Sequence, residues 1–297
     1  MRVGIFGAGQ AGVMVATWLK ADQQLICYID NKEEKQGQTL NGIPICSLNL
    51  ALEMNLDLIW IAVLNKDATK SIKGQLEEKK CRALILDIQT YREQQDIRLA
   101  ALRLLAKEVK NRKVAGAVAE LGVYRGAFAA EMNRLFPDRR LYLFDTFEGF
   151  SEKDLILEPE STGRRARKGD FSDTSIALVR KRLPNPEQAV FVPGYFPDSI
   201  ESIKMVETDL KEVAVVSLDT DLYEPTYQGL TYFYPRLSVG GMILIHDYNS
   251  RQFPGVGMAV RRFCEEQQLY LVPLMDLHGT AVLIKQRGEN VAEESAK

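Results

Sequence analysis

The sequence predicts an α/β protein made of two doubly wound domains. A chain of 297 residues, 46% of them hydrophobic, can bury more core than one average domain requires. Two segments far apart in the chain each run from a short apolar strand through a glycine turn into a helix. Further apolar strands alternate with helical segments, which is typical of a parallel sheet covered by helices on both faces.

The composition excludes several functional classes. With 38 Lys and Arg residues against 40 Asp and Glu, the formal net charge is −2, so we expect neither a nucleic-acid partner nor a membrane partner. The longest apolar run, Leu58 to Leu64, is far shorter than the ~20 residues of a membrane-spanning helix, and Met1 leads into a strand instead of a signal peptide. We therefore expect a cytoplasmic protein. Four scattered cysteines without a CxxC pair indicate neither a disulfide framework nor a structural zinc site.

The first predicted domain covers residues 1–90 and begins with the strand Arg2–Phe6. Its turn has the GxGxxG spacing of a phosphate-facing turn, in which Gly7 allows the tight bend, Gly9 admits an anionic group and Gly12 lets the helix pack on the strand. A lone glycine fingerprint is weak evidence, so a purely architectural turn is the alternative.

The second strand of this domain, Leu25–Ile29, ends at Asp30, whose carboxylate could accept hydrogen bonds from ribose hydroxyls. Leu58–Val63 and Ala83–Asp87 are predicted as buried parallel strands, with a helix over Asp67–Lys79 between them. A complete dinucleotide-binding domain usually needs two mononucleotide halves and ~150 residues. Nicotinamide redox chemistry is therefore disfavoured.

Residues 1–90 carry three sequence features, Gly4–Gly9, Tyr28–Asn31 and Lys35–Pro44. In these features they resemble the small N-terminal Rossmann-like domains of bacterial sugar acetyltransferases and of nucleotide-sugar epimerases or dehydratases. The resemblance implies a nucleotide sugar or a related ligand near the glycine turn. Those domains often have a second aspartate where this chain has Asn31, which is a mild departure.

A helical connector is predicted over residues 91–113. Apolar positions in this segment have helical spacing without proline or glycine: Leu99, Leu102, Leu105 and Val109. We expect the helix to pack on the second domain and to act as a stiff connector. At the other end of the second domain, a polar tail is predicted over residues 288–297.

The second predicted domain covers residues 114–287. The strand that opens it carries Glu120, two positions before Gly122, and the turn ends at Gly126. In the class I methyltransferase fold, such a turn lets the backbone approach the amino-acid part of S-adenosylmethionine. The next strand ends at Asp145, where a carboxylate can bind both ribose hydroxyls. An acid at this position also binds the ribose of NAD, so the fingerprint alone leaves the nucleoside open.

Five motifs follow one another along this domain. They are Glu120–Gly126, Phe144–Phe150, Gly194–Asp198, Leu218–Thr226, and Tyr234–Leu237 followed by Gly240, Gly241 and His246–Tyr248. The series closely resembles the macrocin O-methyltransferase family, from about residue 110 to 285. Members of that family methylate deoxysugar hydroxyls of macrolide antibiotics with S-adenosylmethionine and a divalent metal. The resemblance therefore implies a class I methyltransferase (Rossmann-like) fold and a sugar as the acceptor.

The resemblance also implies a set of residues that bind S-adenosylmethionine. Those at the methionine end of the cofactor are Glu120, Gly122 and Gly126, and Tyr124 of the same turn is also expected to bind the cofactor. Those at the ribose and the adenine are Asp145, Thr146, Phe147, Phe196 and Asp198. For Phe147 and Phe196, burial in the hydrophobic core is an equally good interpretation, because aromatic residues beside strand ends are usually core residues.

Two acids follow strands of the predicted sheet. Asp219 lies after the strand Val213–Ser217, and Asp247 lies after Met242–Ile245, so both face the crevice at the carboxyl ends of the strands. The resemblance assigns both to a divalent metal, for which we expect Mg²⁺ because it prefers hard oxygen ligands. It also makes Asp219 a candidate catalytic base for the sugar hydroxyl.

His246 departs from the family pattern, since relatives commonly have two aspartates where this chain has His246 and Asp247. An imidazole with a pKa near neutrality could be the catalytic base or a softer metal ligand, and a structural histidine is the alternative. One carboxylate fewer weakens a site for a hard cation. His278, in a turn before the last strand, is expected to be structural.

The segment Ser151–Asp170 is charged and has no apolar periodicity. It is predicted as a mobile loop that closes over the cofactor and meets a substrate phosphate through its basic residues, Arg164, Arg165, Arg167 and Lys168. A solvated surface loop is the alternative.

Together these features predict an S-adenosylmethionine-dependent O-methyltransferase. The expected acceptor is a hydroxyl of a natural-product or polysaccharide sugar, free or linked to a nucleotide. One alternative is an NAD-dependent nucleotide-sugar oxidoreductase or epimerase, which the short first domain disfavours. The other is a non-catalytic nucleotide-sugar sensor, which the intact Asp219 and Asp247 disfavour. A homo-oligomer is expected by analogy with the family.

Overall fold

The computed structural model describes residues 1–156, 158, 166–201, 210–250, 252–277 and 279–287. Some of the sequence predictions lie outside these residues: Arg164 and Arg165 of the basic loop, His278, and the tail over 288–297. By its internal contacts the chain divides into two compact units, Met1–Ile97 with Met275–Leu277 and Arg98–Leu274 with His278–Lys297.

The first unit contains six strands: β1 Arg2–Phe6, β2 Gln24–Ile29, β3 Thr39–Leu40, β4 Ile43–Cys46, β5 Leu58–Ile61 and β6 Leu84–Asp87. They form one sheet in the order β3-β4-β2-β1-β5-β6, in which only the β3-β4 pair is antiparallel. The α-helices are α1 Gln10–Thr17, α2 Leu48–Glu53, α3 Lys66–Glu78 and α4 Ile88–Gln94. The strands and the long helix predicted for this segment are confirmed, with small differences at their ends.

The central strands of this sheet explain its sequence pattern. Every residue of β5 is buried, as are Val3 to Phe6 of β1, because helices cover both faces of the sheet. Helix α3 begins where it does because the side chain of Asn65 accepts a hydrogen bond from the backbone N–H of Ala68 at 2.9 Å.

The described residues of the second unit contain seven strands: β7 Ala117–Leu121, β8 Leu141–Asp145, β9 Ala189–Pro193, β10 Val213–Leu218, β11 Leu237–Ile245, β12 Val272–Pro273 and β13 Ala281–Ile284. Their order is β12-β13-β11-β10-β7-β8-β9. The β12-β13 and β13-β11 pairs are antiparallel, and the other pairs of this sheet are parallel. The helices of the described residues are α5 Ile97–Asn111, α6 Ala127–Leu135, α7 Glu152–Leu155, α8 Ile176–Arg182, α9 Asp198–Glu201, α10 Tyr223–Arg236 and α11 Pro254–Gln267.

The segment 91–113, expected to be one connector helix, is interrupted. Helix α4 ends at Gln94 because Gln95 takes an extended backbone conformation, and α5 starts afresh at Ile97. The predicted apolar face of α5 is confirmed, since Leu102 and Val109 are fully buried within the second unit.

Two hydrophobic layers hold the seven-stranded sheet. One layer joins α5 and α6 to the sheet and includes Leu102, Phe128 and Met132. The other joins α10 and α11 to the sheet and includes Phe144 and Phe233. With both faces covered, the strand ends remain the accessible part of the sheet. Across the described residues, no helix has both the length and the apolar character needed to cross a bilayer.

Candidate cofactor and metal site

The strand order of the second unit reverses beside β7. The chain continues from β7 to β8 and β9 on one side, and β10 and β11 lie on the other. In open α/β sheets, ligands bind at such a reversal, in the crevice outside the carboxyl ends of the strands. Gly122 follows β7 at this point, and Asp219 follows β10.

The turn after β7 is built around close backbone approach. Gly122 has φ +85°, and a Cβ atom there would collide with the backbone carbonyl of Asp219. Any side chain at this position would push the two strand ends apart, so glycine is required. The backbone of the predicted glycine turn therefore contacts the backbone of Asp219, one of the two predicted metal ligands.

Asp145 lies at the end of β8, and its carboxylate accepts hydrogen bonds from the neighbouring backbone. One oxygen accepts from the N–H groups of Val123 and Tyr124 at 2.7 and 2.8 Å, and the other accepts from Phe147 at 2.7 Å. Carboxylate oxygens can accept more than one hydrogen bond each, so these contacts leave capacity for a ligand. In this structure Asp145 fixes the shape of the glycine turn.

The remaining predicted cofactor residues fall into two groups. Thr146 and Phe147 adjoin Asp145, where the Thr146 hydroxyl donates to the carbonyl of Gly149 at 2.8 Å. Phe196 and Asp198 follow β9, the strand next to β8. Phe196 is 4% exposed and stacks on Phe233 with ring centroids 5.8 Å apart, which is the core placement given as its alternative. Asp198 forms an exposed ion pair with Lys153 at 3.3 Å.

Four potential metal ligands converge at the ends of β10 and β11: Asp219, Asp221, His246 and Asp247. Their ligand atoms all lie within 4.8 Å of one another. His246 Nδ1 is 2.6 Å from a carboxylate oxygen of Asp247 and 3.0 Å from one of Asp219. The structure therefore brings the predicted residues Asp219, His246 and Asp247 together, and it places His246 inside the cluster rather than behind it.

Asp221 is a member of this acidic cluster that we did not single out from the sequence. Both Asp221 and Asp247 have positive φ angles, +61° and +57°, in the left-handed region that few residues other than glycine adopt. Such backbone conformations persist where the surrounding structure requires them and are common at functional sites. The Asp-x-Asp spacing after a strand was the available signal for Asp221.

The charges of the cluster compensate one another. Burial lowers the pKa of His246, but the adjacent Asp219 and Asp247 raise it to about 10, so the imidazole carries a proton at neutral pH. Burial, together with Asp219 and Asp247, raises the pKa of Asp221 well above its usual value. Bound protons therefore offset part of the negative charge of the cluster. A divalent cation that binds there would displace these protons.

Arg98 is a second residue that the sequence did not reveal. From the first turn of α5, its Nη1 lies 2.9 Å from a carboxylate oxygen of Asp219, and its Nη2 donates to the Ser217 hydroxyl at 3.3 Å. Its guanidinium stacks 4.0 Å from the centroid of the Phe128 ring. Burial raises the pKa of Asp219, but Arg98 and His246 reverse this and hold it well below its usual range.

Glu120 lies beneath this arrangement. It is 1% exposed, and one of its oxygens accepts a hydrogen bond from the Ser217 hydroxyl at 3.4 Å. Its other oxygen, Oε2, is buried with no hydrogen-bond partner among the described residues. Burial raises the pKa of Glu120 well above its usual value despite the nearby Arg98.

The first unit repeats the turn with different surroundings. Asp30 accepts hydrogen bonds from the Ala8 and Lys32 backbone N–H groups at 3.1 and 3.0 Å and pairs with Lys35 at 2.9 Å. The space that a Cβ atom of Gly9 would enter is open to at least 4 Å. The predicted residues Gly7, Gly9, Gly12 and Asp30 therefore lie at the same turn.

Comparison with known proteins decides the family. The model described as macrocin-O-methyltransferase (TylF) matches residues 50–286, which is most of the chain. This chain belongs to the macrocin O-methyltransferase family. A second model, described as C2185-like, N-terminal, matches residues 1–83. The family membership confirms the resemblance found in the motifs of the second domain.

Several curated proteins are similar to this macrocin O-methyltransferase family member. Demethyldecarbamoylnovobiocin O-methyltransferase of Streptomyces niveus is 30% identical over 164 residues, covering 51% of this chain and 60% of the relative. Mycinamicin III 3''-O-methyltransferase of Micromonospora griseorubida is 32% identical over 147 residues, covering 46% and 56%. The chain thus matches no more than about 60% of the length of these two relatives.

Solved structures support the fold of this family member. The O-methyltransferase NovP is 26% identical with a TM-score of 0.54, covering 64% of this chain and 80% of that one. The calicheamicin methyltransferase CalS11 is 23% identical with a TM-score of 0.51, covering 63% and 77%, and this likeness shows the fold alone. The predicted α/β fold with a class I methyltransferase domain is confirmed.

Proposed function

We propose that this chain is an S-adenosylmethionine-dependent O-methyltransferase that methylates a sugar hydroxyl with the help of a divalent cation. The observation that carries the proposal is the acidic cluster of Asp219, Asp221, His246 and Asp247, because it lies directly beside the Gly122 turn. A cofactor at the turn and a hydroxyl at the cluster would therefore be neighbours, as transfer between them requires.

The charges around the turn favour S-adenosylmethionine over a dinucleotide. Glu120 is buried two residues before Gly122, and because burial disfavours its ionised form, it would be stabilised by a nearby cation and not by a pyrophosphate. S-adenosylmethionine carries no phosphate, and its cationic ammonium suits such a carboxylate. In this proposal Glu120, Gly122, Tyr124 and Gly126 hold the methionine end. Asp145 and Thr146 hold the ribose, and Phe147 contacts the adenine.

The donor set of the cluster fits a divalent cation. Three carboxylates supply the oxygen ligands that Mg²⁺ prefers, and an imidazole is compatible with softer cations such as Mn²⁺ as well. Asp219 and Asp247 remain the proposed principal ligands. When bound, the cation would polarise the sugar hydroxyl and lower its pKa.

In the transfer, the bond from the sugar oxygen to the methyl carbon forms as the bond from that carbon to sulfur breaks, and the hydroxyl loses its proton. Asp219, which is ionised, is the first proposed acceptor of this proton. His246, the second, and Asp221, whose ligand atom lies within the same 4.8 Å cluster, could accept it only after a bound cation has displaced the protons that they hold. Arg98 holds Asp219 in place through their 2.9 Å ion pair.

The relatives suggest the class of acceptor. One name specifies O-methylation of mycinamicin III at a 3'' position, and another specifies 4'-O-methylation of a tetracenomycin that carries a rhamnosyl group. For this chain we propose a hydroxyl of a deoxysugar, free, attached to a natural product or linked to a nucleotide. We further propose that the first unit binds or positions the nucleotide-linked sugar at its own glycine turn, where Gly9 leaves open space.

A screen of sugar acceptors tests the proposal. The full chain is incubated with S-adenosylmethionine, Mg²⁺ and a panel of nucleotide-linked deoxysugars and deoxysugar glycosides, and mass spectrometry detects the gain of one methyl group. We expect a chelator to abolish the reaction and added Mg²⁺ to restore it. If calorimetry shows no binding of S-adenosylmethionine or S-adenosylhomocysteine, the proposal is wrong. Cytoplasmic location, the absence of nucleic-acid and membrane partners, and homo-oligomer assembly stay predictions from the sequence.

A further inference from the structure

Arg98, which is largely buried, and Glu120, which is fully buried, lie close together in the second unit, and each has a polar atom without a hydrogen-bond partner among the described residues. The Arg98 side chain is 12% exposed. Its Nε atom and the Oε2 atom of Glu120 are both buried, and neither has a hydrogen-bond partner among the described residues. The Ser217 hydroxyl joins the two, at 3.3 Å from Arg98 Nη2 and 3.4 Å from Glu120 Oε1. Buried polar atoms normally form hydrogen bonds with protein, water or a ligand, so these two atoms are candidates for contact with a ligand.

The pair of atoms defines the chemistry of that ligand. Nε of a guanidinium is a cationic donor, and Oε2 of a glutamate is an acceptor. A ligand that matches both the hydrogen bonding and the charges of these groups offers an anionic acceptor and a cationic donor close together. An α-amino acid does so, since its carboxylate and its ammonium are attached to the same carbon. A phosphate has no cationic donor, and a sugar hydroxyl, although it can donate and accept, carries neither charge.

We propose that Arg98 and Glu120 together clamp the α-amino-acid end of S-adenosylmethionine, with Arg98 binding the carboxylate and Glu120 binding the ammonium. This inference rests on the proposed function. It adds a cofactor-binding residue from α5, a helix that precedes the seven-stranded sheet in the chain. Because Arg98 also pairs with Asp219, one guanidinium would contact both the cofactor and the acidic cluster.

The surroundings of Arg98 suit this role. The Phe128 ring, 4.0 Å from the guanidinium, holds it in one plane, so binding costs little additional side-chain entropy. Two other arginines of the second unit are paired at the surface: Arg103 with Glu131, where the arginine is 51% exposed, and Arg125 with Asp173, where it is 47% exposed. For Glu120, an approaching ammonium would stabilise the ionised form that burial disfavours.

The test compares S-adenosylmethionine with two ligands that lack one or both charged groups of its amino-acid end, of which methylthioadenosine also lacks the sulfonium charge. The full chain is titrated by calorimetry with S-adenosylmethionine, with decarboxylated S-adenosylmethionine, which keeps the ammonium, and with methylthioadenosine, which has neither group. We expect Arg98→Met to weaken S-adenosylmethionine by roughly 10- to 100-fold and to leave the other two ligands unchanged within about twofold. Glu120→Gln should weaken both amino-bearing ligands and spare methylthioadenosine.

Two further variants sharpen the result. Arg103→Met, on the same helix but exposed, is the matched control and should change no affinity. Arg98→Lys keeps the charge without the planar fork and should lie between the wild type and Arg98→Met in its preference for S-adenosylmethionine over the decarboxylated form. Thermal unfolding of each variant establishes that it is folded.

Two outcomes would overturn the inference. In the first, the wild type binds S-adenosylmethionine and its decarboxylated form equally well, which would mean that no residue recognises the carboxylate; this comparison needs no variant. In the second, Arg98→Met weakens both forms equally, which would limit Arg98 to holding Asp219. Failure of the wild type to bind S-adenosylmethionine at all would instead contradict the proposed function.

Discussion

The two units share one backbone arrangement, a glycine turn that donates hydrogen bonds to an aspartate, but different charged residues surround it in each unit. Each has a glycine turn after its central strand and, at the end of the neighbouring strand, an aspartate that accepts hydrogen bonds from that turn. In the first unit Asp30 also pairs with Lys35, whose ammonium additionally donates to the carbonyl of Ala8 at 3.1 Å. In the second unit the hydrogen bonds found for Asp145 among the described residues come from backbone N–H groups.

From this difference we infer that the glycine turn provides space for a ligand, whereas the charged residues around the turn determine which reaction can occur there. At the first turn a lysine five residues after the aspartate neutralises it, and no cluster of metal-binding side chains was found among the described residues there. At the second turn, the acidic cluster and the buried pair of Arg98 and Glu120 surround the strand ends. The proposed methyl transfer therefore belongs to the second turn.

The largest expected effect concerns the acids of the two units. Asp219→Asn should lower the rate of methyl transfer to the accepted sugar at least about 100-fold, because it removes a proposed metal ligand and a candidate base. The matched change in the first unit, Asp30→Asn, should alter this rate by less than about threefold at saturating acceptor, since we propose that the first unit binds the sugar and does not take part in the transfer. Initial rates measured by mass spectrometry check both.

Binding of Mn²⁺, followed by calorimetry, separates the roles within the cluster. Asp219→Asn and Asp247→Asn should weaken Mn²⁺ by roughly 10-fold or more. If Asp221 is the proton acceptor, Asp221→Asn will keep Mn²⁺ binding and lose the transfer. Equal rates for Asp219→Asn and the wild type would remove the cluster from the mechanism.

A smaller effect is expected from adding a methyl group to each turn. Gly122→Ala should lower the free energy of unfolding of the second unit by about 2 kcal/mol, because the backbone is left-handed there and the Cβ would meet the carbonyl of Asp219. Gly9→Ala should change stability by less than about 0.5 kcal/mol, because its Cβ would enter open space.

Urea denaturation of the two variants measures this contrast, and calorimetry adds the cofactor. Gly122→Ala should also lose affinity for S-adenosylmethionine, whereas Gly9→Ala should retain it. A second unit that tolerates Gly122→Ala without loss of stability or affinity would show that the turn can relax, and the close approach of the two strand ends would then not be needed for binding.

The same contrast explains which features the sequence could predict. The glycine turns, the buried strands and the strand-end acids Asp145, Asp219 and Asp247 follow local patterns, because a parallel sheet brings the carboxyl ends of its strands to one edge. Arg98 could not be found this way, since it contacts Asp219 across 121 residues and lies on a helix whose visible pattern was only its apolar spacing. For Phe196 the sequence could not choose between two placements, because an aromatic residue beside a strand end can lie either in the hydrophobic core or against a ligand.

The smallest expected effect concerns the ion pair of the first turn. Burial raises the pKa of Asp30, but the hydrogen bonds from Lys35 and Lys32 and the Lys35 charge outweigh it, so the net pKa is lowered. A carboxyl group whose pKa is lower in the folded state stabilises the fold above its unfolded pKa, and this contribution disappears as the pH falls through the folded value. Lys35→Met should therefore cost up to about 1 kcal/mol at neutral pH, and the loss should shrink below about pH 4. Urea denaturation of the wild type and Lys35→Met at neutral and acid pH checks this, with Lys66→Met, whose partner Glu93 is 62% exposed, as a control that should cost less. A loss that is the same at both pH values would mean that Lys35 stabilises the turn through its bond to the Ala8 carbonyl and not through Asp30.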